Sequence, residues 1–400
     1  MARIGIYNEP FGASLGGSEY LVTVLAEMLS KSHEVELVHH RALLTASELE
    51  EFSGRDLSNV NLRYVEPKDY EFGSSHNPWR RYQDARNWQV SLSEPYDLFV
   101  ASLHNVPPFC HARSGVLILL FPLYFRPYTQ SQQSLPPDQN SLWRTLSRGY
   151  HKWEWQKRMD SYQTKTAISH FTQIWAKRRW NIDCQLIYPP VETDFIRHPK
   201  LNMILSIGRF AIEGEGHSKR QREMLEVFRT RLSTTLTDWE YFSVGNVGSS
   251  IEHKAFFDEL VREGAESHAQ LQANLKRSEV RHLLQRAKIF WHAAGYGEAE
   301  DSYPELAEHF GIVTVEAMAA GCVPVVINKG GQKEIVEHGV SGFLCENLEE
   351  FSEYTLLLAS DEALREQMSE AARIRAQMFS AEVFQEKFWS LLEPLISTST

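Results

Sequence analysis

Apolar positions in the first half of the chain fall into short runs separated by segments with helical spacing. Residues 4–7, 34–39, 98–102, 116–120 and 166–169 read as strands, and residues 18–30 and 171–180 as helices. This alternation predicts a parallel sheet with helices on both faces. The adjacent prolines Pro189 and Pro190 end regular structure, and residues 192–201 read as a linker. The pattern restarts with a strand at 203–208. It continues through a helix at 221–231, a strand at 240–244, a helix at 251–263 and the segment 280–287, and it ends after a strand at 323–327. A last amphipathic helix at 381–395 carries Phe384, Phe388, Trp389 and Leu392 on one face. The fold class is therefore α/β. Four hundred residues exceed what one core usually holds, so two doubly wound, Rossmann-like domains are expected, at 1–195 and 200–380.

The most informative segment is Glu308-His309-Phe310-Gly311-Ile312-Val313-Thr314-Val315-Glu316, continued by Ala317-Met318-Ala319-Ala320-Gly321-Cys322-Val323-Pro324-Val325-Val326. Val315, Met318 and Ala319 share a helix face, Gly321 stops the helix, and a β-branched strand follows. A helix that begins at a glycine loop presents unpaired N–H groups to an anion. Carboxylates on either side of an anion suit a ligand with hydroxyls at both ends of a diphosphate, which is the layout of a sugar nucleotide.

This wording is similar to the signature of GT-B retaining glycosyltransferases, family 4 (glycosyl transferases group 1). The likeness extends upstream to Trp291-His292-Ala293-Ala294-Gly295-Tyr296-Gly297 and downstream to Asn328-Lys329-Gly330-Gly331-Gln332-Lys333-Glu334 and Gly339-Val340-Ser341-Gly342. Within the family it resembles dolichol-linked-oligosaccharide mannosyltransferases and their bacterial relatives. The resemblance implies the GT-B fold, two Rossmann-like domains facing across a cleft, with residues 381–400 crossing back onto the first. It implies transfer of a hexose, mannose or glucose, from a nucleoside-diphosphate sugar to a hydroxyl of a glycan or lipid-linked acceptor, with retention of configuration. Arg209 and Lys219 would grip the diphosphate, where two cations stabilise charge as the leaving group departs. Glu316 would accept from the ribose, and Glu308 would lie by the hexose without acting as a nucleophile. Phe310, Gly311, Ile312 and Val313 would offer backbone amides. Gly16 and Gly17 would lie against the diphosphate and sugar, although a plain loop with Ser18 as N-cap explains the same residues. In the family the leaving phosphate is described as helping to deprotonate the acceptor.

One departure concerns the first half. Relatives often carry a histidine before a Phe-Pro pair, where this chain has Leu120-Phe121-Pro122. His104, at the end of the preceding strand, could bond the sugar or shuttle a proton, or could simply brace its turn. The missing histidine leaves room for a catalytically weak nucleotide-sugar-binding or scaffold protein. A phosphorylase or sugar-nucleotide epimerase of the same fold is a further alternative.

The bulk properties narrow the partners. Hydrophobic residues make up 42% and aromatics 12%, which suits a folded domain, and the net charge of −11 argues against general nucleic-acid binding. Against that acidity, residues 141–179 are basic and aromatic. Arg144, Arg148, Lys152, Lys157, Arg158, Lys165, Lys177, Arg178 and Arg179 are interleaved with Trp143, Tyr150, Trp153 and Trp155. This suggests peripheral contact with an anionic membrane, or else a solvated helix with its tryptophans in the core. Cys110, Cys184, Cys322 and Cys345 form no Cys-x-x-Cys pair and read as reduced thiols of a cytoplasmic protein. No signal peptide and no apolar run near the ~18 residues of a membrane span is evident. No Asp-x-Asp and no zinc-like histidine spacing occurs, so neither metal nor cofactor is expected.

Overall fold

The structure is a computed structural model that describes residues 1–8, 15–67, 78–123, 153–212 and 218–397. The chain divides into two compact units, Met1–Pro190 with Phe384–Thr400, and Val191–Val383.

The first unit is built on a seven-stranded sheet, all of whose pairings are parallel. Its strands are β1 (Arg3–Asn8), β2 (Glu34–His39), β3 (Val60–Tyr64), β4 (Leu98–Leu103), β5 (Ser114–Leu119), β6 (Thr164–Ala167) and β7 (Gln185–Leu186), in the order β3-β2-β1-β4-β5-β6-β7. β4 and β5 are buried at every position, as central strands covered on both faces require. Helices Gly17–Ser30, Ala46–Ser53, Pro78–Ser93 and His170–Trp175 connect them. The core gathers Tyr7, Phe99, Leu117, Trp155, Tyr162 and Trp180.

The second unit has its own parallel sheet of six strands, in the order β10-β9-β8-β11-β12-β13. These are β8 (Leu201–Ile207), β9 (Glu240–Gly245), β10 (Ala269–Ala273), β11 (Ala287–His292), β12 (Val323–Ile327) and β13 (Phe343–Cys345). Its core packs Phe228, Tyr241, Trp291, Val325 and Phe351 together, with the Trp291 indole N–H donating to Thr355 Oγ1 at 3.0 Å.

Several expectations need correction. The apolar pattern does not end with β12, because the three-residue β13 adds an edge strand too short to register as a run. The segment 280–287 is the end of helix Arg277–Arg286, and the chain passes into β11 with Ala287 already extended (φ −70°, ψ 139°). With no turn residue between them, helix and strand merge in the sequence. The helices expected at 171–180 and 221–231 each loosen into a π-turn, at Ala176–Trp180 and Phe228–Leu232. Residues 192–200 are not a free linker. Glu192 binds Arg277 and Arg281, Thr193 Oγ1 donates to Gln377 at 3.2 Å, Arg197 pairs with Glu370 at 2.7 Å, and Lys200 Nζ donates to the Ala320 carbonyl at 2.8 Å. They form a strap lying on the second unit. In the last helix, Ala381–Ser397, the residues Phe384, Phe388 and Leu392 are buried. Trp389 is 36% exposed and stacks on His33, so it borders the apolar face instead of lying within it.

Candidate active site

The site grows from the carboxyl ends of β8 and β11, the edge where ligands of open α/β sheets bind. After β8, Gly208 leads to Arg209. Gln221, buried at the start of helix Gln221–Val227, donates from Nε2 to the carbonyls of Gly208 (3.0 Å) and Arg209 (2.8 Å), fixing the backbone that carries Arg209. The Arg209 side chain is exposed and makes no ion pair among the described residues. Ten residues on, Lys219 turns back and its ammonium contacts Glu308 Oε2. Its neighbour Arg220 is held by Glu223 at 3.0 Å and by Glu298.

Glu308 sits four residues before helix Ile312–Ala319. Oε2 receives Lys219 and, at 2.9 Å, Nε2 of His292, the last residue of β11. His292 Nδ1 in turn meets Gln332 Nε2 at 3.3 Å. Burial alone would raise the Glu308 carboxyl, but Lys219 and His292 outweigh it and hold the carboxyl well below the usual carboxylate range. Burial lowers His292, so its ring is neutral at ordinary pH.

Gly311 caps helix Ile312–Ala319 with φ +117°, a conformation that favours glycine, and no side chain caps the helix. The amides of Ile312 and Val313, both half-buried, open that helix. Phe310 is buried and meets Phe379 edge-on at 5.4 Å. The loop after β12 supports this entry. Gly331 N–H donates to the Glu308 carbonyl at 2.7 Å, and Gly330 has φ +57°, where a Cβ would stand 2.1 Å from the same oxygen.

Glu316, 4% exposed and on the first turns of the helix, is bound by the Arg277 guanidinium. Arg277 also reaches Glu192 at 2.9 Å, and Glu192 binds Arg281. The carboxylate expected for a ribose thus has a basic partner at the start of helix Arg277–Arg286. Residues 308, 310–313, 316 and 219 come together in this unit, with Arg209 at the neighbouring strand end.

The candidates on the first unit form a separate group. Gly16, not Ser18, is the N-cap of helix Gly17–Ser30 (φ −149°). The buried Glu19 carboxylate accepts from Gly16 N–H at 2.8 Å and from the Ser18 hydroxyl at 2.9 Å. Part of the anion preference of this helix end is met by the chain's own carboxylate. Gly17 is exposed. His104 follows β4, its carbonyl accepting from Leu123 N–H at 3.3 Å. Burial takes its imidazole down to about 4, so it is neutral at pH 7 and a poor proton shuttle there. Leu120, at the place of the missing histidine, is buried.

In the basic stretch, residues 141–152, including Trp143, Arg144, Arg148, Tyr150 and Lys152, lie outside the described residues. Most of the remaining cations are engaged internally. Arg158 pairs with Glu154 and donates to the Pro107 carbonyl at 2.9 Å; Arg179 donates to Pro122 and Leu123. Lys165 bonds the Tyr162 carbonyl, and Lys177 pairs with Asp183 at 2.8 Å. Trp155 is in the core and Trp153 is exposed. All four cysteines are free thiols. Among the described residues, no group of three or more His, Cys, Asp or Glu side chains could hold a metal ion, and no helix is long and apolar enough to cross a membrane.

The motif led to Glu308, Glu316 and the helix entry, and the sequence also suggests 270–277, which ends at Arg277, as lining for the donor's base; His292, Gln332, Gln221 and Glu192 were not singled out as site residues. His292 had two available signals, its place as the last residue of an apolar run and its position in the stretch 291–297 of the family likeness. Glu192 had none, because its partners lie far along the chain.

Comparison with known proteins bears on this geometry. Residues 193–375 match the family Glycosyl transferases group 1. The chain is 30% identical over 246 residues to the GDP-Man:Man(3)GlcNAc(2)-PP-Dol alpha-1,2-mannosyltransferase of Dictyostelium discoideum, covering 58% of this chain and 46% of that protein. It is 28% identical over 234 residues to the human alpha-1,3/1,6-mannosyltransferase ALG2, covering 54% of each. The chain thus spans about half the length of these relatives. In structure it is similar to Anabaena HepE in complex with UDP and glucose, with a TM-score of 0.68 at 15% identity, covering 97% of this chain and 99% of that one. Residues 193–375 are thus similar to the glycosyl transferases group 1 family, and the chain has the GT-B fold.

Proposed function

We propose that this protein is a retaining glycosyltransferase that moves a hexose from a nucleoside-diphosphate sugar to a hydroxyl of a glycan or lipid-linked acceptor. The observation that carries the reading is the meeting of Lys219 with Glu308 in front of helix Ile312–Ala319, inside the segment that matches the family. Mannose is the hexose favoured, because the relatives named above are mannosyltransferases.

In this reading the diphosphate lies at the amides of Ile312 and Val313, where the helix end favours an anion. Arg209 offers a planar fork and Lys219 a point charge to the oxygens that become more negative as the sugar–phosphate bond breaks. These cations supply the positive charge, so the proposal calls for no metal or cofactor. Glu316 accepts from the ribose, with Arg277 beside it. Glu308 accepts from the hexose and forms no covalent bond, and the leaving phosphate takes the acceptor's proton. Gly16, Gly17 and the neutral His104 belong to the first unit, to which the acceptor is assigned.

A lipid-linked acceptor is presented at a bilayer. Trp153 (57% exposed) and Ile174 (50% exposed), near Lys157 and Arg178, support a peripheral membrane contact by the first unit. The four free thiols suit the cytoplasmic side. The test is to incubate the protein with UDP-, GDP- and ADP-sugars and measure free nucleoside diphosphate. Release with one donor, abolished by Arg209→Ala, supports the reading. Tight donor binding with no release, with or without lipid-linked acceptors, would make the protein a nucleotide-sugar binder and sink it.

A further inference from the structure

The functional reading gives Glu308 a role at the sugar but leaves open what holds this carboxylate once a diphosphate draws Lys219 away. In the ligand-free arrangement both donors, Lys219 and His292, meet the same oxygen, Oε2. Among the described residues no hydrogen bond to Oε1 is seen. His292 is buried at the end of β11, and its other nitrogen faces an amide N–H of the buried Gln332. A ring that accepts at Nδ1 from an amide must carry its proton at Nε2, and that proton points to the carboxylate.

We propose that His292 is the positioning residue of the site: locked as the Nε2–H tautomer by Gln332, it holds Oε2 of Glu308 and so reserves Oε1 as the acceptor for one hydroxyl of the donor hexose. This rests on the function proposed above. The ring's neutrality matters, because a neutral donor fixes the carboxylate without cancelling its charge. Lys219 is then released to the diphosphate without Glu308 turning. Helix Gln332–Ile335 begins at the residue that orients the ring, and Gly331 just before it bonds the Glu308 carbonyl. One loop therefore sets both the backbone and the side chain of Glu308.

The test uses the full chain, its His292→Leu and His292→Gln variants, and ¹⁵N-labelled histidine. The wild-type ring should show a single neutral signal protonated at Nε2 at pH 7 to 8, with and without GDP or UDP. His292→Leu should lower kcat about 10–100-fold, with donor KM within about threefold. His292→Gln, which keeps an N–H donor, should recover most of that loss. Donor sugars lacking single hydroxyls should be discriminated at one ring position by the wild type and much less by His292→Leu. GDP or UDP affinity should stay unchanged in both variants. A doubly protonated or Nδ1-protonated ring would overturn the inference. So would wild-type kcat per folded molecule in His292→Leu. If no donor is turned over by the wild type, the glycosyl-transfer reading fails, and the nitrogen spectrum alone still decides how His292 is held.

Discussion

At the scale of single residues, two titrations give opposite lessons. Glu308 has its carboxyl held well below the usual range by Lys219 and His292 in spite of burial. Its folded state binds fewer protons than the unfolded chain, so the ion cluster stabilises fully above about pH 4.5 and loses that contribution as pH falls through the folded value. Glu308→Gln should therefore unfold at lower urea than wild type at pH 7, and the gap should close in acid. Turnover should fall about 100-fold or more. His104 is the reverse case, a base brought down to about 4 by burial. Between pH 6.5 and 4 the unfolded chain takes up a proton that the folded protein refuses, so stability drops over that window. His104→Gln should flatten the drop in urea titrations while leaving the protein folded at pH 7. What the sequence revealed at this scale followed how far each contact reaches. Glu308 and Glu316 stand eight positions apart in one motif. Their partners His292, Arg277 and Glu192 are brought in by a strand, a helix and the strap, and no local pattern pairs them with the two carboxylates.

At the scale of elements, strands buried on both faces were the legible ones. β4 and β12 are buried throughout and mostly apolar, and β1 has an apolar centre, while β2 alternates Glu and apolar residues before its buried end. β10, Ala269–Ala273, is only half-buried at the edge of its sheet and alternates weakly, so it passed unnoticed. The π-turns at Ala176–Trp180 and Phe228–Leu232 carry no sequence mark, since Ala-Lys-Arg-Arg-Trp suits an α-helix equally well. The glycine pair after β12 was read as part of a motif, without its mechanical purpose. Gly330 passes so close to the Glu308 carbonyl that a methyl group cannot fit, and its φ of +57° adds strain for any other residue. Gly330→Ala should cost about 1–3 kcal/mol in denaturant unfolding and should also depress turnover, because the displaced atom belongs to Glu308. A Gly339→Ala control has positive φ (+75°) but open space around it. It should cost less stability and leave turnover near wild type.

At the scale of the molecule, the two-unit organisation was visible in the restart of the strand–helix pattern, while its seam was not. The proline pair suggested an end to regular structure and 192–201 a linker, yet Val191 already bridges to Ser380, and the residues after it are bonded to helices of the second unit. Each unit has its own sheet and core. A fragment of residues 191–383 should therefore unfold cooperatively, and the preferred nucleoside diphosphate at about 100 times its Kd should stabilise it by about 2.7 kcal/mol in a thermal-shift series. No such gain should occur in Arg209→Ala. The strap also dictates where hybrid chains can be spliced. A crossover placed at residue 200, midway through the apparent spacer, would give the incoming half a foreign segment lacking the right anchors for Arg277, Glu370 and Gln377. A crossover at residue 190 would deliver those anchors with the half they fasten, and a matching return at residue 383 would leave the closing helix with its original partner.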